Sequence, residues 1–386
     1  MTDWFYPTGF SFWEAEEREA IQRVISSGWF TYGPEVEAFE REVAEFHGRK
    51  YAVMCNSGSS ANWLAVTALF HKKENPLRRG DQAIVPAIAW ATTFNPLVQN
   101  GLELIIKDVG PSWNAEWNGP NDNRSHNGVR LVVTCPVLGN PVDYRAYERI
   151  LHGWNWDGYW IDDACESVGS WIGPLGEKRY AGSFGIMSTI SLFMSHQISA
   201  VEGGVVLTDD EECYRLCRIL RNHGWTRDVE KSGSFDDEYQ FVFADGMNLR
   251  PVEMHAAIAR EQLKKLEKMC MARQANWNNW ELLCHGLPIQ IPPKSRVAVR
   301  SPFGLNFTCE SKEARARLVK AFRENGIDCR LPTGGSFRKH PYAAQWADQK
   351  TPNADRIHDT GIFIGNAPYE IAEKIGRAVK IMRETL

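Results

Sequence analysis

Five short apolar runs, at residues 51–55, 83–85, 104–109, 131–135 and 159–162, constrain this chain more than any other feature. Each is almost continuously apolar, and helical or loop sequence separates it from the next. Strands of that kind are buried on both faces, which predicts a largely parallel sheet with helices on either side. Residues 14–27 read as a helix stopped by Gly28, 35–46 as a second, and 56–72 as a third that opens directly after a strand. Beyond Pro251 the pattern changes. Residues 252–284 are mostly helical, 289–291 and 304–308 are strand-like, and helices follow at 312–325 and 372–384. The predicted fold is α/β with a mostly parallel sheet, as a large domain over 1–250 and a smaller α+β domain over 251–386.

Composition narrows the classes of function. A chain of 386 residues with 43% apolar and 24% charged residues is long enough for one or two cored domains. Its net charge of -4 gives no reason to expect nucleic acid. No apolar run approaches the roughly 20 residues that span a bilayer. The first residues lack the basic-then-apolar pattern of a signal peptide, so a cytoplasmic protein is expected. The nine cysteines are scattered, which fits reduced thiols rather than disulfides. Tryptophans cluster at Trp113, Trp117, Trp154, Trp156 and Trp160, where core packing is the default expectation. Residues 228–246 are polar and read as a long loop of functional or mobile character.

Three motifs carry chemistry. The stretch 191–204 holds small polar residues, His196, Glu202 and a glycine pair between two apolar runs, as a site on a rigid scaffold would. The segment Ser57-Gly58-Ser59-Ser60-Ala61 opens a helix, where free N–H groups and the helix dipole suit a phosphate; a plain N-cap at Ser59 or Ser60 accounts for it equally well. Asp162 and Asp163 end an apolar strand, at the sheet edge where ligands of open α/β sheets bind. Side chains alternate along a strand, so only one of the two faces such a site, and either could instead cap a helix. Trp90 follows a strand directly, either to stack on a flat ligand or to fill the core.

Taken in order, segments 51–62, 85–95, 161–169, 191–204 and 246–257 resemble the DegT/DnrJ/EryC1/StrS sugar aminotransferases, pyridoxal-phosphate (PLP) enzymes of fold type I related to aspartate aminotransferase. The resemblance covers essentially the whole chain. The family pattern is Ser-Phe-x-x-x-Lys-x-x-x-x-Gly-Glu-Gly-Gly. Ser191, Glu202, Gly203 and Gly204 keep it, Leu192 and Val201 depart in ways read as tolerable, and His196 stands where the Schiff-base lysine belongs. The resemblance implies that Ser57, Gly58, Ser59, Ser60 and Ser191 hold the PLP phosphate and that Trp90 covers the pyridine ring. It implies that Asp163 pairs with the ring nitrogen and that Glu166 lies close to the ring, where most members have an uncharged residue such as Gln. Asn248 would reach the phosphate of a neighbouring subunit, which implies a homodimer with shared sites. Thr31, Tyr32, His223, Arg227, Arg250 and Phe337 are the candidates for substrate binding.

His196 decides the expected chemistry. Imidazole forms no stable imine with PLP but acts as a base near neutral pH. The cofactor should therefore be held non-covalently and cycle through its amine form, pyridoxamine phosphate (PMP). The branch of the family with this histidine, which shares Ser195-His196, Val201-Glu202-Gly203-Gly204 and His223-Gly224-Trp225, dehydrates nucleotide-linked 4-keto-6-deoxy sugars at C3. The resemblance implies GDP-4-keto-6-deoxy-D-mannose as substrate and glutamate as amino donor. A related CDP-sugar enzyme uses an iron–sulfur cluster, which needs clustered cysteines. Cys213 and Cys217 share a helix, while Cys270, Cys284, Cys309 and Cys329 are dispersed, so neither a cluster nor another metal site is expected. Two other readings stay open: an ordinary sugar aminotransferase, for which Lys178 is the only nearby lysine, and a catalytically decayed sugar-nucleotide binder.

Overall fold

The structure, a computed structural model, describes residues 4–115, 128–153, 156–174, 177–229, 236, 239–293 and 298–386. Trp117, Trp154 and, within the expected loop at 228–246, residues 230–235, 237 and 238 lie outside the described residues. Helices α1 (Ala15–Ser27) and α2 (Pro34–His47) start the fold. A capping box at Glu14 and Glu17 opens α1, Pro34 opens α2, and Gly28 and Gly48 end them in left-handed conformation.

The first nine strands are β1 (Tyr51–Cys55), β2 (Gln82–Pro86), β3 (Glu103–Lys107), β4 (Val129–Thr134), β5 (Tyr159–Asp163), β6 (Trp171–Ile172), β7 (Arg179–Tyr180), β8 (Met187–Ser191) and β9 (Gly204–Thr208). Seven of them form one sheet in the order β1-β9-β8-β5-β4-β2-β3. β9 is antiparallel to both β1 and β8, and the remaining pairs are parallel. Successive residues of a strand enter opposite cores. Leu131, Val133 and Ile161 pack with α3 (Gly58–Phe70) and α4 (Ala91–Gln99), while Val132 and Trp160 pack with α2 and α5 (Tyr144–Gly153). This two-faced burial is why the runs are continuous rather than alternating. Trp113 and Trp160 are core residues, as expected.

Helix α6 (Glu211–Arg221) completes this layer, and the 31-residue α7 (Glu253–Leu283) leaves it. Ala256, Ala259 and Leu266 of α7 lie against the large core. Trp277 and Trp280 join a third core with Phe307, Phe322 and Ile364. That core is built on β10 (Ile289–Gln290), β12 (Gly304–Cys309), β13 (Cys329–Arg330) and β14 (Gly361–Gly365), in the antiparallel order β10-β12-β14-β13. Helices α8 (Lys312–Glu324), α9 (Pro352–Thr360) and α10 (Ala372–Thr385) accompany it, while β11 (Ala298–Val299) pairs with β6 of the larger unit. Tyr6 and Phe10, at the other end of the chain, belong to the third core, and the Tyr6 hydroxyl donates to Gly365 O at 2.7 Å. The expected division at residue 250 falls just before α7. Helix α7 crosses between the two cores, and Tyr6 and Phe10 pack into the third.

Candidate active site

Each motif singled out in the sequence ends at one edge of the sheet. β1, β2, β4, β5 and β8 run the same way, so the loops at their C-terminal ends meet over a cavity of about 620 Å³. Ser57, Gly58 and Ser59 follow β1, Trp90 follows β2, Cys135 and Leu138 follow β4, and Asp163, Cys165 and Glu166 end β5. Ser191, Ser195, His196 and Glu202 come from β8 and the stretch after it. The opposite wall comes from the C-terminal unit through Phe303, Arg330, Leu331, Thr333 and Phe363, with Thr8 and Gly9 from the first residues.

At one end of the cavity α3 begins. Its N-cap is Ser57, whose Oγ accepts from Ser60 N at 3.1 Å; the plain-cap reading had placed this role at Ser59 or Ser60. Ser60 Oγ donates to Asn56 Oδ1 at 2.6 Å and is not part of the lining. The first N–H groups of α3 lack an i−4 carbonyl partner, and Ser57, Gly58, Ser59 and Ser191 line the cavity at this helix start. Close packing forms the cradle. A Cβ on Gly58 would sit 2.7 Å from Ser191 Cβ, and one on Gly204 would land on the Ser57 carbonyl. Main chain with hydroxyls at a helix N-terminus suits a phosphate.

The two aspartates separate as the pleat requires. Asp162 turns away from the cavity and accepts from Thr134 Oγ1 at 2.8 Å and Gly182 N at 3.1 Å; burial raises it to about 7. Asp163 lines the cavity. Its Oδ2 accepts from Asn62 Nδ2 at 2.8 Å and Thr93 Oγ1 at 2.6 Å, which fixes the carboxylate. Glu166 is also buried and accepts from Leu138 N at 2.7 Å, yet burial, reinforced by Asp163, pushes it up to about 8. It is therefore protonated at neutral pH. Trp90 is 57% exposed, so it is not a core residue; its ring stands at the cavity mouth.

His196 lies between the rings of Phe193, at 5.9 Å, and Phe303, at 5.2 Å. Burial, with the positive charge of Arg273 acting the same way, lowers it to about 4, so the imidazole is neutral near pH 7 and ready to take a proton. Its Nδ1 and the Thr333 Oγ1 are buried polar atoms at this cavity without a protein partner. No lysine is among the described lining residues. Lys178, the lysine on which an ordinary aminotransferase reading depended, is exposed and bonded to Glu267 at 3.3 Å. Among the described residues no group of three or more His, Cys, Asp or Glu could hold a metal ion.

The candidate substrate residues divide. Thr31, His223, Arg227 and Arg250 are exposed and, like Asn248, absent from the lining. His223, Asn248 and Arg250 nevertheless gather on one patch, with Arg250 Nη1 3.4 Å from His223 Nε2 and Asn248 bridged to Asn222. Tyr32 lines a separate cavity, its ring 4.7 Å from the Arg221 guanidinium, which is ion-paired to Glu40 at 2.8 Å. Phe337 is 1% exposed and packs on Phe94 at 4.1 Å, so its ring belongs to the core and is not presented to a ligand. Val201 was read as a tolerable change; the structure holds it at φ 68°, a left-handed conformation that strains a β-branched residue.

The profile of the DegT/DnrJ/EryC1/StrS aminotransferase family matches residues 12–383. The chain belongs to this family. It is 36% identical, over 98% of both chains, to a GDP-4-keto-6-deoxy-D-mannose 3-dehydratase of Yersinia pseudotuberculosis. A solved GDP-4-keto-6-deoxymannose-3-dehydratase with a trapped PLP-glutamate geminal diamine superposes with a TM-score of 0.91 at 34% identity, covering 98% of this chain and 100% of that one. A mutant of an enzyme of that name, with bound GDP-perosamine, superposes at 0.90 and 34% identity, again over 98% and 100%. Like these relatives, the chain has an aminotransferase-like PLP fold.

The DegT/DnrJ/EryC1/StrS motifs account for most of the site, and the structure adds residues that sequence reasoning missed. Asn62 and Thr93 orient Asp163, and the one sequence signal for Asn62 was a polar residue inside a strongly apolar helix. Leu138, at φ 52°, and the wall residues Phe303, Arg330 and Phe363 had no local signal, since only tertiary packing brings them here.

Proposed function

We propose that this chain removes the C3 hydroxyl of a nucleotide-linked 4-keto-6-deoxy hexose, GDP-4-keto-6-deoxy-D-mannose, using PLP in its amine form with glutamate as amino donor. One observation carries the reading. Among the described residues that line the cavity there is a neutral histidine at the position of the PLP lysine and no lysine. The whole-chain similarity to 3-dehydratases supports it, as do the GDP-sugar and the PLP-glutamate adduct named in related structures.

The residues fit the cofactor. Ser57, Gly58, Ser59 and Ser191 would hold its phosphate at the start of α3, Trp90 would cover its ring, and Asp163 would face its pyridine nitrogen. When bound, PMP supplies an amine for the C4 ketone and a conjugated ring that takes up an electron pair. Asp163, oriented by Asn62 and Thr93, keeps a proton on the ring nitrogen. With cofactor and sugar bound, His196 would accept at an imidazole nitrogen the proton that leaves the cofactor's methylene carbon and pass it to the departing C3 hydroxyl, which leaves as water. Glu166, neutral at pH 7, would be able to donate its carboxyl proton to a group bound in the site. Phe193, Phe303 and Leu331 limit the water that reaches His196. Overall the sugar exchanges one C–OH for C–H, and glutamate leaves as 2-oxoglutarate and ammonia, which balances atoms and electrons.

The working unit in this reading is a homodimer with shared sites. The patch of His223, Asn248 and Arg250 lies outside its own cavity, beside the exposed apolar side chains of Tyr239, Phe241, Val242 and Met247. A second copy that covers this apolar segment would receive those polar groups. The nine cysteines are free, which suits the reducing cytoplasm proposed for the enzyme. No helix among the described residues is long and apolar enough to cross a membrane.

The test incubates the protein with PLP, glutamate and, in turn, GDP-, CDP-, UDP- and dTDP-4-keto-6-deoxy sugars. Mass spectrometry should show the GDP sugar losing one oxygen while ammonia appears. An amino sugar product, or no reaction with any of the four, would overturn the reading.

A further inference from the structure

Between β8 and β9 the stretch that carries His196 forms neither helix nor strand; besides its own main-chain bonds, such as His196 N to Phe193 O at 2.9 Å, buried side chains tie it to the rest of the fold. Two of these are 1% exposed. Gln197, next to the histidine, donates from Nε2 to Glu166 O at 2.7 Å and to Ser301 O at 2.9 Å. One amide thus joins the His196 stretch, the turn that carries Asp163 and Glu166, and the entry to the C-terminal unit. Arg273 of α7 reaches the same stretch from below. Its Nη2 donates to His196 O at 3.5 Å and its Nη1 donates to Asn366 O. Asn366 donates in return to Arg273 O at 2.9 Å and to Pro302 O at 2.8 Å.

Arg273 is unusual because its hydrogen-bond partners among the described residues are carbonyls and none is a carboxylate. Burying an unpaired cation is costly. Carbonyl partners satisfy its Nη1 and Nη2 groups but leave its field uncancelled, and one of those carbonyls belongs to His196. We propose that Gln197 and Arg273 are positioning residues for His196. Gln197 fixes the histidine against the Asp163 turn, and the unpaired charge of Arg273 keeps the imidazole in its proton-accepting form.

The direction of the His196 shift agrees: burial lowers it first and Arg273 lowers it further, against a smaller upward pull from a hydrogen bond to the Cys165 main chain. The other titratable or charged groups at the cavity are Cys135, Asp163, Cys165, Glu166, Glu202 and Arg330. Ionised carboxylates among them would favour a charged imidazole, so a cation beneath the stretch opposes them. Glu166 is neutral at pH 7 and adds little to that opposition.

The inference rests on His196 as the base of the proposed reaction, so the experiment separates the two. The first arm uses the apoprotein with isotope-labelled histidine, followed by NMR across pH, with a His196→Asn spectrum to assign the signal. His196 should stay neutral until well below pH 6.5 in wild type and in Arg273→Lys, and should titrate at least about half a unit higher in Arg273→Met. An unchanged titration in folded Arg273→Met would overturn the electrostatic part. The second arm uses Gln197→Leu, a change of similar size that remains informative if Arg273→Met does not fold. Turnover should fall by about tenfold or more with KM for the sugar nucleotide within about twofold and the titration of His196 little altered. Wild-type turnover in Gln197→Leu would overturn the positioning part. Absence of turnover in wild type itself would sink the functional reading and leave the titration arm decisive for Arg273.

Discussion

Replacing Glu166 with glutamine should stabilise the protein, and by more as pH rises. The Glu166 carboxyl is buried and raised from 4.5 to about 8, while its Oε2 accepts one hydrogen bond from Leu138 N. Below the ordinary carboxyl value both folded and unfolded chains are protonated there, and the side chain contributes no pH dependence. Above that value the unfolded chain ionises and the folded one does not, so folding is penalised progressively until pH passes the folded value. At about 1.36 kcal/mol per unit, the penalty near pH 7 is on the order of 3 kcal/mol. Glutamine keeps an acceptor for Leu138 N and carries no such penalty. The assay is thermal unfolding of the apoproteins in parallel between about pH 5 and about pH 8.5. The variant should match wild type at the acid end and melt progressively higher toward the alkaline end. Asp162, also raised, is present in both proteins and cancels in the comparison. A difference that stays flat with pH, or a variant that melts lower at the alkaline end, would refute the buried-acid account of Glu166.

Other consequences can be measured in the same way. Val201→Gly should stabilise by about 1 kcal/mol in chemical denaturation, because relief of left-handed strain at φ 68° exceeds the added chain entropy; a loss of stability would mean that the valine side chain is covered and needed. Asp163→Asn should lower turnover by roughly a hundredfold or more while costing only about 1 kcal/mol of stability, since an amide oxygen still accepts from Asn62 and Thr93 but holds no ring proton. Near-normal steady-state rates in that variant would move the electron-sink role elsewhere. Mixing inactive Asn248→Asp with inactive His196→Ala should restore part of the activity after subunit exchange, because one site in each hybrid then carries neither change. Failure to recover despite verified exchange would place Asn248 outside the partner's site.

What could be read before folding was what is encoded locally. Continuous apolar runs announced the sheet, Gly28 ended a helix where expected, and the phosphate motif opened α3. Strand β14 escaped notice because its apolar run is only Ile362-Phe363-Ile364 and α9 runs into it without a loop. The side facing of Asp163 was legible only through resemblance; in the structure the hydroxyl and amide of Thr93 and Asn62 settle it. Phe337 and Tyr32 were read as ligand contacts for a shared reason. An aromatic ring in an irregular segment reads the same whether it meets a ligand, the core or a guanidinium. The wall formed by Phe303, Arg330 and Phe363 depends on how α7 carries the second core over the first, which no local pattern records.

The central claim is that His196 leaves the cofactor without a covalent anchor. Loading the protein with PLP, reducing with borohydride and weighing the intact chain tests it directly. The account predicts a chain of unmodified mass, and a reduced PLP adduct in the His196→Lys variant at that position. A stoichiometric adduct on any lysine of the wild-type chain would contradict it.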